Sequence, residues 1–284
     1  MDKRRTTQII AAIITNSNFK GFFQGKIYKG ISKRMCVPGL NCYSCPGAMG
    51  SCPIGAFQAV IGSIKYDFSF YVLGFMSLMG IVFGRFICGW LCPFGLIQDL
   101  LYKIKSPKIK VNRRVNNYLK YLKYIILLVF VILLPMFLVN DIGISDPYFC
   151  KYICPAGTLE GGIPLVLMNE PLRDTVGFLF KWKMTILVVT VLLSIIVYRP
   201  FCRHICPLGA FYSLFNPISF YKLKINKDKC TNCKVCERKC KLKIQVYNKP
   251  NDLECIRCGE CVKKCPENAI KAGFDFKLKN IKSK

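Results

Sequence analysis

The chain has 284 residues, and 42 Lys+Arg against 15 Asp+Glu leave a formal net charge of +27, while 52% of residues are hydrophobic and the mean hydropathy is +0.32. Basicity alone would point to nucleic acid, but a solvated nucleic-acid binder has no use for apolar runs such as Tyr124–Val139 or Met184–Val197. A membrane protein with basic cytoplasmic faces fits both numbers, with anionic lipid rather than nucleic acid as a partner.

Eighteen cysteines exclude a small secreted disulfide scaffold, because the chain is long and many of the cysteines keep ferredoxin spacing. A single histidine, His204, argues against Cys/His zinc sites, paired-histidine haem ligation and histidine acid–base chemistry.

Residues 1–35 read as a basic arm whose Ile9–Thr15 stretch is too short to cross a bilayer and suits its interface. Residues 36–67 form a cysteine-rich segment, and its uncharged part Gly47–Ile64 is interrupted by Pro53 and glycines, which predicts a re-entrant segment. Residues 68–220 hold three apolar stretches, at about 68–86, 121–140 and 182–198, each near the roughly 20 residues that cross about 30 Å of hydrocarbon. Residues 221–284 form the tail. The expected fold is thus mostly α: a small transmembrane helical bundle with re-entrant Cys-Pro-x-Gly turns, followed by an α+β domain of bacterial-ferredoxin type carrying two [4Fe–4S] clusters.

Charge sets the expected orientation of this multi-pass cell-membrane protein. Lys103, Lys105, Lys108, Lys110, Arg113, Arg114, Lys120 and Lys123 make the loop at 102–123 basic and free of acids, so it belongs in the cytoplasm. Asp141, Asp146, Glu160, Glu170 and Asp174 dominate the following segment, which belongs outside. In the tail Lys and Arg far outnumber Asp and Glu, which returns the ferredoxin domain to the cytoplasm. Three crossings leave the arm outside although it carries Lys3, Arg4, Arg5, Lys20 and Lys26, a conflict with the same rule.

The tail repeats C-x2-C-x2-C-x3-C, as Cys230, Cys233, Cys236, Cys240 and then Cys255, Cys258, Cys261, Cys265. In such runs the fourth cysteine ligates the other cluster, which assigns Cys230, Cys233, Cys236 and Cys265 to one [4Fe–4S] and Cys255, Cys258, Cys261 and Cys240 to the second. Pro266 follows the last cysteine, whereas Lys241 occupies the matching place in the first run. A second pattern recurs upstream: Cys88-Gly-Trp-Leu-Cys92-Pro-Phe-Gly, Cys150-Lys-Tyr-Ile-Cys154-Pro-Ala-Gly and Cys202-Arg-His-Ile-Cys206-Pro-Leu-Gly, with a half copy at Cys52-Pro-Ile-Gly. Cysteines at i and i+4 share a face if helical, and Pro and Gly are expected to break the helix and turn the chain around a metal.

The expected topology places Cys88, Cys92, Cys202 and Cys206 together on the cytoplasmic side, enough for one [4Fe–4S]. The outer six are Cys36, Cys42, Cys45, Cys52, Cys150 and Cys154. Of these, Cys45, Cys52, Cys150 and Cys154 are the expected ligands, leaving Cys36 and Cys42 for a disulfide, another cluster or a different division. At least four clusters follow, and His204 is the one candidate for quinone contact, although a structural place beside the cysteines suits it better.

With its C-x3-C-P motifs after apolar spans and a two-cluster tail, the chain resembles the NapH/NosR/CcoG group of membrane iron–sulfur proteins over about residues 36–270. Cys88–Gly95 and Cys202–Gly209 match the motif of that group directly. The resemblance implies electron movement between a quinone pool, cytoplasmic carriers and extracytoplasmic reductases or maturation systems. Three functions fit the sequence: a transmembrane carrier from an acidic cytoplasmic donor, such as a ferredoxin or flavodoxin, to an extracytoplasmic redox partner; an oxidoreductase acting on a metal ion or quinol at the outer cysteines; and a redox sensor or maturation factor. The carrier needs cofactors and insulation and no acid–base residues, which is what the sequence offers.

Overall fold

The structure, a computed structural model, describes residues 3–63, 69–109, 113–141 and 144–275. The beginning of the first expected span at 68, the end of the cysteine-rich segment, Lys110 of the basic loop and the end of the tail from 276 lie outside the described residues.

Two helices are long and apolar enough to cross a membrane, Val115–Phe137 and Phe178–Ile196. The first expected crossing, at about 68–86, is shorter in the structure: Phe70–Phe83 has 14 residues, about 21 Å by the helical rise. It stops because Gly84 turns left-handed at φ 54° and leaves room for Asn216 and Arg257, which a side chain there would strike. The first long helix starts before the expected 121 and contains a π-helical stretch, Leu127–Leu133, just ahead of Pro135. Proline there removes an amide and crowds the carbonyl four residues back, and the wider turn absorbs the misfit. Thr158–Gly162 repeats the device before Pro164.

The basic arm is not merely interfacial. Its helix Lys3–Thr15 buries Arg4, which donates to Gly89 O at 3.0 Å and pairs with Asp99, while at the other end Asn41 Nδ2 and the amide of Met49 reach Thr15 O. The helix therefore runs from the Cys88 turn to the Cys42–Cys45 turn. That path puts Lys3, Arg4 and Arg5 at the tail-proximal end of the helix and leaves Lys20 and Lys26 beyond its other end. Ile9, Ile10, Ile13 and Ile14 remain exposed along it.

The segment read as re-entrant is irregular up to Cys52 and then forms the helix Pro53–Gly62, whose Ile54, Phe57 and Ile61 are buried. The Cys-Pro-x-Gly turns break the helix as the sequence predicts, Phe86–Trp90, Tyr148–Tyr152 and Pro200–His204 each ending two residues before the second cysteine, and a new helix starts at the proline. Proline occupies the first helical position at Pro53, Pro93, Pro155 and Pro207, where its missing amide has no partner to lose.

The tail pairs β1, Tyr221–Ile225, antiparallel to β2, Ile270–Phe274, with Tyr221 opposite Phe274 and Ile225 opposite Ile270. Two short helices, Val235–Lys239 and Glu260–Lys263, complete it. It docks through buried polar contacts. Glu254 binds Arg85 at 2.7 Å and Lys123 at 2.5 Å, and Trp90 Nε1 donates to Arg257 O at 3.0 Å. Burial alone would push the Glu254 carboxyl up, but Arg85 and Lys123 hold it at about 2. Gly89 is glycine because a Cβ there would run into the carbonyl of Ile256. Lys241, which departs from the proline of the second run, has its ammonium 5.0 Å from the centre of the Tyr198 ring and 5.8 Å from that of Tyr102, a cation–π link between tail and membrane part.

Replacing Glu254 by Gln strands Lys123 and Arg85 without a counter-charge. The expected cost is about 3–5 kcal/mol, read as a lower melting temperature and as earlier proteolytic release of the tail.

Candidate iron–sulfur centres

Thiols gather in four places. A cavity of about 20 Å³ is lined by Cys230, Cys233, Cys236 and Cys265, and a second of about 20 Å³ by Cys240, Cys255, Cys258 and Cys261. The two loops share one unusual backbone: Asn232 and Lys234 in the first and Arg257 and Gly259 in the second have φ between 51° and 80°, two and four residues after the leading cysteine. Non-glycine residues rarely take that conformation, so the loops are bent tightly around what they enclose.

The third group, nearest the tail, holds Cys88, Cys92, Cys202 and Cys206, all buried and within electrostatic reach of one another. The distal group surrounds a cavity of about 630 Å³ lined by Cys42, Cys52, Cys150 and Cys154. This corrects the expected division, since Cys42 rather than Cys45 lines it. A Cβ built on Gly157 would lie 3.7 Å from Cys42 Sγ and 4.0 Å from Cys154 Sγ. Cys45 turns away toward Asn16, with Sγ 3.6 Å from its Oδ1, and Cys36 stays beside Ser51 in an isolated bridge, its amide donating to Tyr71 Oη. Among the described residues all eighteen cysteines are free thiols, Cys36 and Cys42 included.

The upstream motif has one geometry. The second cysteine of each copy, Cys52, Cys92, Cys154 or Cys206, takes an extended backbone with φ between −77° and −65° and stands as the N-cap of the helix that follows. The amide of the glycine three residues on faces its sulfur: Gly209 N donates to Cys206 Sγ at 3.4 Å, and Gly55, Gly95 and Gly157 act likewise on Cys52, Cys92 and Cys154. Each thiol thus sits at the positive end of a helix, where a thiolate is favoured. In this thiol form burial outweighs that help and pushes the Cys52, Cys92, Cys154 and Cys206 thiols up. Burial likewise pushes Cys42 and Cys150, which cap no helix, up to about 12 and Cys202 to about 11. Metal coordination removes the proton outright.

Sequence reasoning missed the residues that cross between the two halves of the chain. Six places after the second cysteine of each copy stand Gln58, Gln98, Glu160 and Tyr212. Gln58 Nε2 donates to Cys150 Sγ at 3.2 Å and Gln98 Nε2 to Cys202 Sγ at 2.9 Å, while Glu160 Oε2 accepts from the Cys42 amide at 2.7 Å. Burial pushes the Glu160 carboxyl up to about 7 against that bond. Tyr212, fully buried, lies within reach of Cys88 and Cys92 on one side and of Cys52 and Cys36 on the other, and its hydroxyl donates to Pro38 O at 3.0 Å. Three places before Cys88 and Cys202 stand Arg85 and Arg199, each bonded to the first cysteine's carbonyl in the opposite half. The recurring offset within R-x-x-C-x3-C-P was the signal that could have revealed the arginines.

His204 is buried, and burial with Arg203 beside it holds its imidazole down to about 4. Its electrostatic neighbours are Arg203, Glu254 and Lys123, none a cysteine.

These donor sets fit [4Fe–4S] clusters. Four thiols gather at each site, the number that a [4Fe–4S] cluster takes. The Fer4_5 profile, described as a 4Fe-4S binding domain, matches residues 66–112, 123–163 and 180–227, one match for each C-x3-C-P copy, and the Fer4 profile, also a 4Fe-4S binding domain, matches 249–271. An uncharacterized protein of Methanocaldococcus jannaschii is 34% identical over 209 residues, covering 72% of this chain and 78% of its own length. The chain belongs to the ferredoxin-type membrane iron–sulfur family of NapH and NosR. The family also contains the putative electron transport protein YccM of Escherichia coli, 28% identical over 66% of this chain and 51% of its own, and the ferredoxin-type protein NapH of Haemophilus influenzae, 23% identical over 71% and 66%. No solved structure matches the chain. Family membership and two long apolar helices together point to a membrane location.

Cys233 is exposed, whereas Cys88, Cys92, Cys202 and Cys206 are buried. On limited air exposure of the iron-loaded protein, iron should leave the Cys230 site first and the Cys88 site last. Mössbauer spectra of partly oxidised samples read the order, and early loss at the Cys88 site would contradict the burial argument.

Proposed function

We propose that this chain is a transmembrane electron conduit with four [4Fe–4S] sites in series: Cys230/Cys233/Cys236/Cys265, then Cys240/Cys255/Cys258/Cys261, then Cys88/Cys92/Cys202/Cys206, then Cys42/Cys52/Cys150/Cys154. The observation that carries this reading is Tyr212, whose buried ring is within reach of thiols from both membrane groups. Two cysteine groups at opposite bilayer surfaces would stand about 30 Å apart, too far for one efficient hop. Cys-Pro turns folded inward around Tyr212, whose hydroxyl donates to Pro38 O at 3.0 Å, would shorten that gap. When bound, the clusters supply one-electron carriers along this series.

The protein's own part is to hold, join and insulate. Between tail and membrane part, Asn216 is fully buried; its Nδ2 donates to Cys255 O at 2.8 Å and its Oδ1 accepts from the Arg85 amide at 2.9 Å. Cys258 is within electrostatic reach of Tyr198. Around the third group Phe94, Phe201 and Leu208 are buried and exclude water. The basic tail suits an acidic cytoplasmic donor and anionic lipid, and the distal group would serve an extracytoplasmic partner.

A second reading, reduction of a small substrate at the distal group, is favoured by one observation. The distal cavity is about 630 Å³, against about 20 Å³ for each tail cavity, and Lys183 lines it.

The intact anaerobic protein should hold about sixteen irons; about eight would confine the chemistry to the tail. In stopped-flow mixing with a reduced acidic ferredoxin, the tail should be reduced first, at a rate that falls with salt, and the distal site afterwards. Cys206→Ser should abolish only the later phase. Persistence of that phase at the wild-type rate would remove the series arrangement and leave the small-substrate reading.

A further inference from the structure

The third and fourth groups differ in their electrostatic setting. Arg85 and Arg199 are each 1% exposed and stand three residues before Cys88 and Cys202. Their contacts cross over: Arg85 Nη2 donates to Cys202 O at 3.0 Å and Arg199 Nη1 to Cys88 O at 2.6 Å. Each guanidinium is one of two buried cations sharing a single carboxylate. Arg85 and Lys123 share Glu254, and Arg199 and Arg4 share Asp99. One positive charge is therefore left over on either side of the group, in a setting where an uncompensated charge is costly. Gln98 donates to Cys202 Sγ as Gln58 does to Cys150 Sγ in the distal group, so the contrast between the groups lies in the arginines and not in this bond.

The distal group has no such pair. The positions three before Cys42 and Cys150 are Gly39 and Pro147. An acid, Glu160, reaches the Cys42 amide, and the cations within electrostatic reach are lysines, Lys183 at Cys150 and the buried Lys33 at Cys42, neither of them bonded to a ligand cysteine's carbonyl in the hydrogen bonds of the described residues. Cluster potentials rise with positive charge and with hydrogen bonds to sulfur.

We propose that Arg85 and Arg199 are positioning residues that raise the reduction potential of the Cys88/Cys92/Cys202/Cys206 cluster above that of the distal cluster. An electron arriving from the tail then rests at the third site, and it moves on when the distal acceptor withdraws one. The inference depends on the assignment of a cluster to these four cysteines.

The test is an EPR-monitored redox titration of the intact, anaerobically purified chain, with the third-site signal identified by its loss in Cys202→Ser. In Arg85→Gln and Arg199→Gln the equilibrium constant for one-electron reduction of that site should fall tenfold or more, about 59 mV, while the other signals keep their midpoints. Arg85→Lys and Arg199→Lys retain the charge and should recover most of the loss. If the Gln variants fail to load the site, Asp99→Asn decides: removing the shared carboxylate should raise the third-site potential. An unchanged third-site midpoint, a common shift of all signals, Lys variants as low as Gln variants, a distal midpoint above the third site in wild type, or no rise in Asp99→Asn would each overturn the inference. A wild-type protein with tail signals alone would instead overturn the four-site reading.

Discussion

Everything upstream of the tail depends on thiols brought together from two halves of the chain. The first half provides Cys42, Cys52, Cys88 and Cys92; the second provides Cys150, Cys154, Cys202 and Cys206. Each membrane group takes two from each half. Neither half can complete a site alone, so the halves must pack face to face, and the crossed contacts follow from that packing. Gly95 and Gly209 are matching points where the opposite half's arginine comes close: a Cβ on Gly95 would lie 3.3 Å from Arg199 Nη1, and one on Gly209 3.5 Å from Arg85 Nη2. Each half begins at the distal group, passes through an apolar helix and ends at the group near the tail.

Several features that look unrelated in sequence share this origin. Extended cysteine, proline at the first helical position and glycine three residues on form one device, a helix capped by sulfur. The helix supplies amides and a positive end, and proline enters without giving up a useful donor. Arg85 and Arg199 reach across because the opposite half's first cysteine carbonyl lies at the helix start they face. Where the halves differ, the difference has a local cause: Gly89 stands where the other copies have Lys151 and Arg203, because only that copy receives the tail backbone at Ile256.

The helical class, the tail spacing and the recurrence of C-x3-C-P were legible because they are short-range periodicities. The route of the arm was not, since Arg4 finds Asp99 and Gly89 across a distance in sequence that no local pattern encodes. Counting apolar residues placed a full crossing at 68–86, and Gly84 shortened it through a contact with Asn216 and Arg257 that exists only in the fold. Cys42 and Cys45 are separated by two residues in a tight turn, the Cys45 amide donating to Cys42 O at 3.1 Å, so their side chains point to different places. Glu160, which accepts from the Cys42 amide, stands 118 residues away, so no local pattern marks Cys42 rather than Cys45.

The buried cations also bear on how the chain reaches its folded state. With thiols protonated, Arg85, Lys123, Arg199 and Arg4 face two carboxylates, and the surplus charge lies in an apolar interior without a partner. Four thiolates around an iron–sulfur core would be anionic and would supply the missing counter-charge. A cluster held by Cys88, Cys92, Cys202 and Cys206 would then neutralise the interface between the halves, so that its binding free energy would also be packing free energy, tied to the docking of the tail through Glu254.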